Sequence, residues 1–136
     1  MKKTIIFLSL ILLVTACSNK KVYETNDTIE YKDITIRIVE DNIVTIFSND
    51  ETDVYLSIEV YNNSKNTLSF TKEQWLLEVN DELYYNKQII NDFIDLVSGE
   101  KRVGTVSFSP KQYSDTIYLI IIYENEKIKI KLNDIL

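Results

Sequence analysis

The fold is decided by the stretch Val54-Tyr55-Leu56-Ser57-Ile58-Glu59-Val60-Tyr61. Aliphatic residues alternate here with polar or tyrosine residues over eight positions, which is the period of a β-strand with one buried face. We therefore predict a strand over 54–61. Tyr55 and Tyr61 share the face opposite the aliphatic side chains, and on a solvent-facing surface they would flank Ser57 and Glu59.

The rest of the chain continues in short runs rich in Ile, Val, Tyr and Thr, separated by clusters of Asn, Asp, Ser and Lys. That composition is typical of an all-β protein. Turn residues between neighbouring runs predict three hairpins: 34–39 with 43–47, 75–79 with 83–85, and 117–123 with 128–132. In the last run Lys127, Lys129 and Lys131 alternate with aliphatic residues, which predicts a sheet edge protected by charge.

One segment departs from the strand pattern. Ile89, Phe93 and Val97 recur at a spacing of four, which allows a short helix near 89–97. The run 118–123 is apolar on both faces, so both faces should be covered. We expect the 89–97 segment to supply that cover by folding over the sheet.

The first seventeen residues have the organisation of a secretory leader. Lys2 and Lys3 precede an apolar run of signal-peptide length, and the small residues Thr15 and Ala16 lead to Cys17, the only cysteine. This arrangement resembles the lipobox of bacterial lipoproteins, which implies that the Cys17 thiol is acylated and that cleavage occurs before it. Two or three acyl chains make a durable anchor. The alternative is an ordinary leader or an anchor helix with a free thiol.

These features predict three parts: a lipoprotein signal peptide at 1–16, a lipidated cysteine and flexible tether at 17–27, and a β-sandwich domain at 28–136. The expected location is the extracytoplasmic face of the cell membrane, or the outer membrane in a host with two membranes. A lone cysteine leaves the domain without an internal disulfide.

Composition limits the possible partners and chemistry. Without Lys2 and Lys3, 13 basic residues face 21 acidic ones, which argues against nucleic acid and against anionic lipid head groups as partners. Histidine is absent and only two glycines occur, so a histidine-activated nucleophile and a glycine-rich phosphate loop have no residues to form them. We predict no catalytic residue, no cofactor and no metal.

Acidic clusters leave two minor alternatives open. Pairs of carboxylates serve some hydrolases, and the candidates are the cluster Asp50, Glu51 and Asp53 and the pairs Asp81 with Glu82 and Asp92 with Asp95. The acidic turn 48–53 carries oxygen ligands of the type that calcium uses, although it lacks the glycine and the distal glutamate of an EF-hand loop. A solvated loop is the ordinary interpretation of such a turn.

The chain is unusual in its nine tyrosines. Tyrosine combines a large ring with a polar hydroxyl and is enriched at recognition surfaces, although it also favours strands. Tyr55 and Tyr61 are therefore the candidate interaction surface, and strand preference alone is the alternative explanation.

Several motifs resemble one protein family. They are the alternating strand followed by Asn62-Asn63-Ser64-Lys65 and Leu68, then Ser98-Gly99-Glu100, Gly104 to Phe108, and the run Ile117 to Tyr123. Together they are similar to the telokin-like, immunoglobulin-like domains of bacterial secreted lipoproteins. The resemblance implies an immunoglobulin-like antiparallel β-sandwich of about seven to nine strands, without family-wide catalytic residues.

The sequence thus predicts a membrane-anchored, non-catalytic module that binds a protein, peptide or glycan at the cell envelope. One alternative is a structural or protective envelope factor, of a stress or exclusion type, that acts through membrane proximity. A carboxylate-dependent hydrolase is the third.

Overall fold

A computed structural model describes residues 21–39, 44–48, 51–111 and 116–132. These residues form a β-sandwich of two sheets. Sheet A has the order β1-β11-β10-β6-β7, and sheet B has the order β2-β3-β5-β9-β8 with β4 also paired to β5. The strands are β1 Val22–Glu24, β2 Ile29–Tyr31, β3 Ile34–Ile38, β4 Val44–Ser48, β5 Glu51–Asn62, β6 Trp75–Val79, β7 Glu82–Tyr85, β8 Gln88–Ile90, β9 Lys101–Phe108, β10 Ile117–Tyr123 and β11 Glu126–Leu132.

The all-β prediction is confirmed, with eleven strands in the described part of the chain rather than seven to nine. The excess comes from β1, β2 and β8, which are three residues each. Such short pieces carry too few residues for a period of two to be visible.

The predicted strand 54–61 lies within β5, the longest strand of sheet B. Val54, Leu56, Ile58 and Val60 are all fully buried in the core between the sheets. β9 pairs with one edge of β5 along eight residues, while β3 and β4 share the other edge. β5 is therefore the centre of sheet B.

The first predicted hairpin is wrong. β3 and β4 both exist, but neither pairs with the other, because each pairs antiparallel with β5. Ile38 lies opposite Ile58 and Val44 lies opposite Tyr55, so β3 and β4 occupy successive parts of the same edge of β5. Alternation reveals a strand, whereas its pairing partner depends on tertiary contacts.

The other two hairpins are confirmed. β6 pairs with β7 around Asn80-Asp81, and β10 pairs with β11 around Glu124-Asn125. All four turn residues have positive φ angles, between 48° and 65°. Two-residue turns with positive φ at both positions match the twist of the strands that they join.

The edge of sheet A differs from the prediction. β11 is covered by β1, which pairs with it in parallel at Val22 opposite Lys129. The lysines of β11 therefore do not protect a free edge. The same pairing shortens the flexible tether predicted over 17–27, because residues 22–24 form strand β1.

The segment 89–97 forms the end of β8 and a loop rather than a helix. Asn91 and Asp95 have φ angles of 54° and 53°, which interrupt helical geometry. Leu96 exchanges two backbone hydrogen bonds with Leu68, and the Phe93 carbonyl accepts one from Phe70. The spacing of four between Ile89, Phe93 and Val97 therefore does not mark one face of a helix. Phe93 points into the core from an irregular backbone, whereas Val97 is exposed.

The loop is held by buried Asn62 at the end of β5. Its amide nitrogen donates to the Leu96 carbonyl at 2.8 Å and to the Asn66 carbonyl at 2.7 Å. Its amide oxygen accepts from the backbone and the hydroxyl of Ser64. The predicted turn at 62–66 is thus joined to the 89–97 segment by one side chain.

The core between the sheets contains the inward residues of both sheets. Phe93 and Leu96 belong to it, so the 89–97 segment packs between the sheets and does not fold over the outer face of the 118–123 run as expected, while Ile90, Ile94 and Val97 are exposed. Trp75 stacks in a tilted arrangement on Phe93, with ring centroids 5.1 Å apart. Within the described residues, no helix has the length and apolar character needed to cross a membrane.

Candidate functional site

The candidate interaction surface is the outer face of sheet B, which we call the tyrosine face: Tyr55, Ser57, Glu59, Tyr61, Arg37, Val103, Thr105 and Ile90. β5 places its odd-numbered residues there because its even-numbered aliphatic residues point into the core. On β9 the residues paired with them, Val103 opposite Glu59 and Thr105 opposite Ser57, have the same orientation.

Tyr55 and Tyr61 are both half-buried on this face, but they do not meet. They are six positions apart along one strand, which corresponds to about 20 Å. Between them the hydroxyls of Ser57 and Thr105 lie 3.1 Å apart in a hydrogen bond. The two rings therefore bound an extended polar strip rather than form a single pocket.

The charged side chains of the tyrosine face form ion pairs. The Glu59 carboxylate is 3.2 Å from the Arg37 guanidinium and 4.0 Å from the Lys101 ammonium. The same ammonium lies 5.8 Å above the ring of Tyr61. Glu59 is thus engaged with two cations on an open sheet surface, an arrangement suited to polar recognition.

Two apolar residues of this face were not identified from the sequence. Val103 is 42% exposed and Ile90 is 55% exposed, and Ile90 sits beside Thr105 in the β8–β9 pairing. The alternation along β9 identifies Val103 as an outward aliphatic residue. Ile90 was missed because the 89–97 segment was predicted to be a helix.

The acidic turn 48–53 is described by the structure only in part. Asn49 and Asp50 of the acidic turn lie outside the described residues. Asp53 belongs to β5, where its carboxylate accepts a hydrogen bond from Ser109 and lies 3.8 Å from the Lys87 ammonium. No group of three or more His, Cys, Asp or Glu side chains suited to a metal ion occurs in the part of the chain that the structure describes.

One buried tyrosine has a structural function. The Tyr123 hydroxyl, at the end of β10 in sheet A, donates to the Asp33 carboxylate in the β2–β3 turn of sheet B. Burial, the bond to Asp33 and the nearby negative charges raise the pKa of Tyr123 above that of a free tyrosine. Lys32 joins the same turns through Glu124 at 2.8 Å. These contacts tie the two sheets together at one end.

Comparison with known proteins gives two findings, the first at the amino terminus. Residues 1–18 match the prokaryotic membrane lipoprotein lipid attachment site. The chain is a lipoprotein with a β-sandwich domain. The matched range includes Cys17, which lies outside the described residues together with the rest of the leader. No curated protein matches the chain in sequence.

Solved structures give the second finding. An uncharacterized β-sandwich protein of Clostridium difficile 630 has a TM-score of 0.59 at 16% identity, covering 83% of this chain and 95% of that one. The secreted protein MPT63 of Mycobacterium tuberculosis has a TM-score of 0.63 at 9% identity, covering 86% and 99%.

YcdA of Bacillus subtilis, provisionally classified as a lipoprotein, has a TM-score of 0.62 at 13% identity. That alignment covers 81% of this lipoprotein but only 38% of YcdA. At such low identities these similarities establish the β-sandwich fold alone. They do not extend to the telokin-like subclass.

Proposed function

We propose that this lipoprotein is acylated on Cys17, anchored at the extracytoplasmic face of the membrane, and uses its β-sandwich as a non-catalytic module that binds a protein, peptide or glycan. The attachment-site match at residues 1–18 supports the anchor. Cleavage before Cys17 would leave the sandwich, which begins at Val22, almost directly behind the lipid.

The tyrosine face is the observation that carries the binding proposal. It presents two half-buried tyrosines, two exposed aliphatic residues and an ion-pair group on one sheet surface. Tyrosine rings supply contact area at low entropic cost, while hydroxyl and charged groups give specificity. An extended peptide, a glycan or a flat protein surface fits an open sheet better than a small molecule does, because a small molecule needs a concave site.

A non-catalytic role is supported by the chemistry of the described residues. Glu59, the central carboxylate of the tyrosine face, is occupied by Arg37 and Lys101. The Ser57 hydroxyl pairs with that of Thr105, and the chain has no histidine to activate it.

The test is binding by the purified, lipidated chain to solubilised envelope components, compared with the double variant Tyr55→Ala/Tyr61→Ala. Tyr85→Ala is the matched control, because Tyr85 is 71% exposed on the outer face of the other sheet. We expect a saturable partner that the double variant loses by at least about tenfold in affinity, as for interface tyrosines, and that the control retains.

The thermal stability of the double variant is checked in parallel. If the double variant keeps the partner, the assignment of binding to the tyrosine face is contradicted. The absence of any partner, together with a cellular phenotype that requires Cys17, would favour the structural or protective envelope factor instead. The observation favouring that alternative is that only four residues lie between Cys17 and β1, a link short enough to keep the domain near the membrane.

A further inference from the structure

We infer that the outer face of sheet A rests on the membrane and binds anionic lipid head groups. This inference rests on the proposed acylation of Cys17. It concerns the surface opposite the tyrosine face, which we call the lysine face: Val22, Lys127, Lys129, Lys131, Tyr118, Ile120, Leu83 and Tyr85, with Glu24 and Glu78.

The first step is the length of the link. β1 begins at Val22 and is paired to β11 from its first residue. Only four residues separate it from Cys17, so the two Cα atoms are at most about 18 Å apart in an extended chain. Sheet A is itself about 19 Å wide across its five strands. A lipid at Cys17 therefore holds this sheet within one domain width of the head groups.

The second step is the chemistry of the face. Lys127, Lys129 and Lys131 point outward from β11 because Ile128, Ile130 and Leu132 are buried. Three lysines stand against two glutamates on this face, in a chain whose acidic residues outnumber its basic ones. One of the glutamates, Glu78, is paired with Lys129 at 2.7 Å. The lysine face therefore carries a net charge of 3 − 2 = +1, whereas the whole chain is anionic.

Apolar side chains accompany the lysines. Val22 is 44% exposed, Leu83 is 46% exposed, and Tyr85 is the most exposed of the three. Lysine stems with tyrosine and aliphatic side chains between them suit the membrane interface, where the ammonium groups reach phosphate and the apolar parts enter the head-group layer.

The third step is effective concentration. The small positive charge of the lysine face would not hold an unanchored protein on a membrane. The negative charge of the whole chain argues against anionic lipid for the same unanchored protein. A lipid anchor makes weak binding sufficient, because a short link converts docking of the lysine face on the membrane into an intramolecular step. Each lysine near an anionic leaflet then shifts the docked population by about fivefold.

The test uses the lipidated mature chain in vesicles, with one fluorophore attached at Tyr85→Cys, Val103→Cys or Asn66→Cys. These positions lie on the lysine face, on the tyrosine face and in the loop at the end of the sandwich, and all three are exposed. Spin-labelled lipid is the quencher, and vesicles are either purely zwitterionic or contain phosphatidylglycerol. We expect strong quenching at position 85 on the anionic vesicles and weak quenching at 103 and 66.

A charge comparison completes the test. The variant Lys127→Glu/Lys131→Glu should lower the docked-to-free ratio on anionic vesicles by about 25-fold or more. Lys65→Glu/Lys87→Glu, which changes two exposed lysines that lie on neither face, should leave it unchanged.

Equal quenching at 85 and 103, strongest quenching at 66, or the same result on zwitterionic vesicles would each overturn the inference. Failure of the proposed function has a different signature. The chain would then lack acyl mass on Cys17 and would not sediment with vesicles of either composition.

Discussion

Gly104→Ala is the substitution that tests the packing of the 91–96 segment most sharply. Gly104 lies on the inner side of β9 opposite Ile58, where the loop after β8 crosses the strand. A methyl group there would come within 2.6 Å of the Asn91 carbonyl oxygen and 2.8 Å of the Phe93 ring. Either the loop or the strand must move to accept it.

Two effects set the magnitude. Overpacking a core position costs about 1–3 kcal/mol, while replacing glycine restricts the unfolded chain and returns roughly 0.4–1 kcal/mol. We expect a net loss of about 1–2 kcal/mol, which lowers the melting temperature by roughly 4–10 °C for a domain of this size. The assay is urea unfolding and thermal unfolding of the purified domain, followed by tryptophan fluorescence, since Trp75 packs on Phe93.

The double variant Gly104→Ala/Phe93→Leu separates the two contacts. It removes the clash with the ring but keeps the one with the Asn91 oxygen, so the two changes should be non-additive. A Gly104→Ala protein as stable as the wild type, or more stable, would refute the placement of this loop over β9.

Three further predictions concern the same framework. Tyr123→Phe should lower the free energy of unfolding by about 1–2 kcal/mol in chemical denaturation, because it removes the hydrogen bond to Asp33. The pKa of Tyr123 is higher in the folded than in the unfolded protein, so the stability of the wild type should be full below pH 10 and decline above it, with a shallower decline in the variant. Parallel curves of stability against pH for the two proteins would contradict this assignment. Asn62→Ala should lose about 2–3 kcal/mol in urea unfolding and accelerate proteolysis in the 89–97 loop, since four hydrogen bonds disappear; intact protease resistance would show that the loop is held otherwise. Phe93→Ser should cost about 3–5 kcal/mol and Ile90→Ser less than about 0.5 kcal/mol in thermal unfolding, and equal losses would show that Ile90 is also a core residue.

The sequence predicted the parts of the fold that depend on local periodicity. The alternation in 54–61 gave a strand, its buried face and the outward position of Tyr55 and Tyr61. The hairpin turns Asn80-Asp81 and Glu124-Asn125 were predictable because Asn80, Asp81 and Asn125 are of types that tolerate positive φ.

Pairing between distant strands was not predictable in the same way. β3 and β4 looked like a hairpin because they are neighbours in sequence, whereas the long strand β5 provides the partner edge for both. β1 looked like tether because three residues of mixed polarity carry no period, and its position is set by hydrogen bonding to β11.

The outward position of Tyr55 and Tyr61 was predictable from the sequence, while their role in binding stays a prediction. Their separation by Ser57 and Glu59 gives a strip rather than a cluster. Ile90 and Val103 join that face only through the β8–β9 and β5–β9 pairings, which no single run of sequence contains.

Acylation of Cys17 is the central claim, and mass spectrometry of the amino-terminal peptide of the mature membrane protein tests it most directly. We predict a peptide that begins at Cys17 and carries the mass of a thioether-linked diacylglycerol, with Cys17→Ser losing both the acyl mass and the membrane association. A mature protein that retains residues 1–16, or one that begins at Cys17 with a free thiol and still fractionates with membranes, would contradict the account.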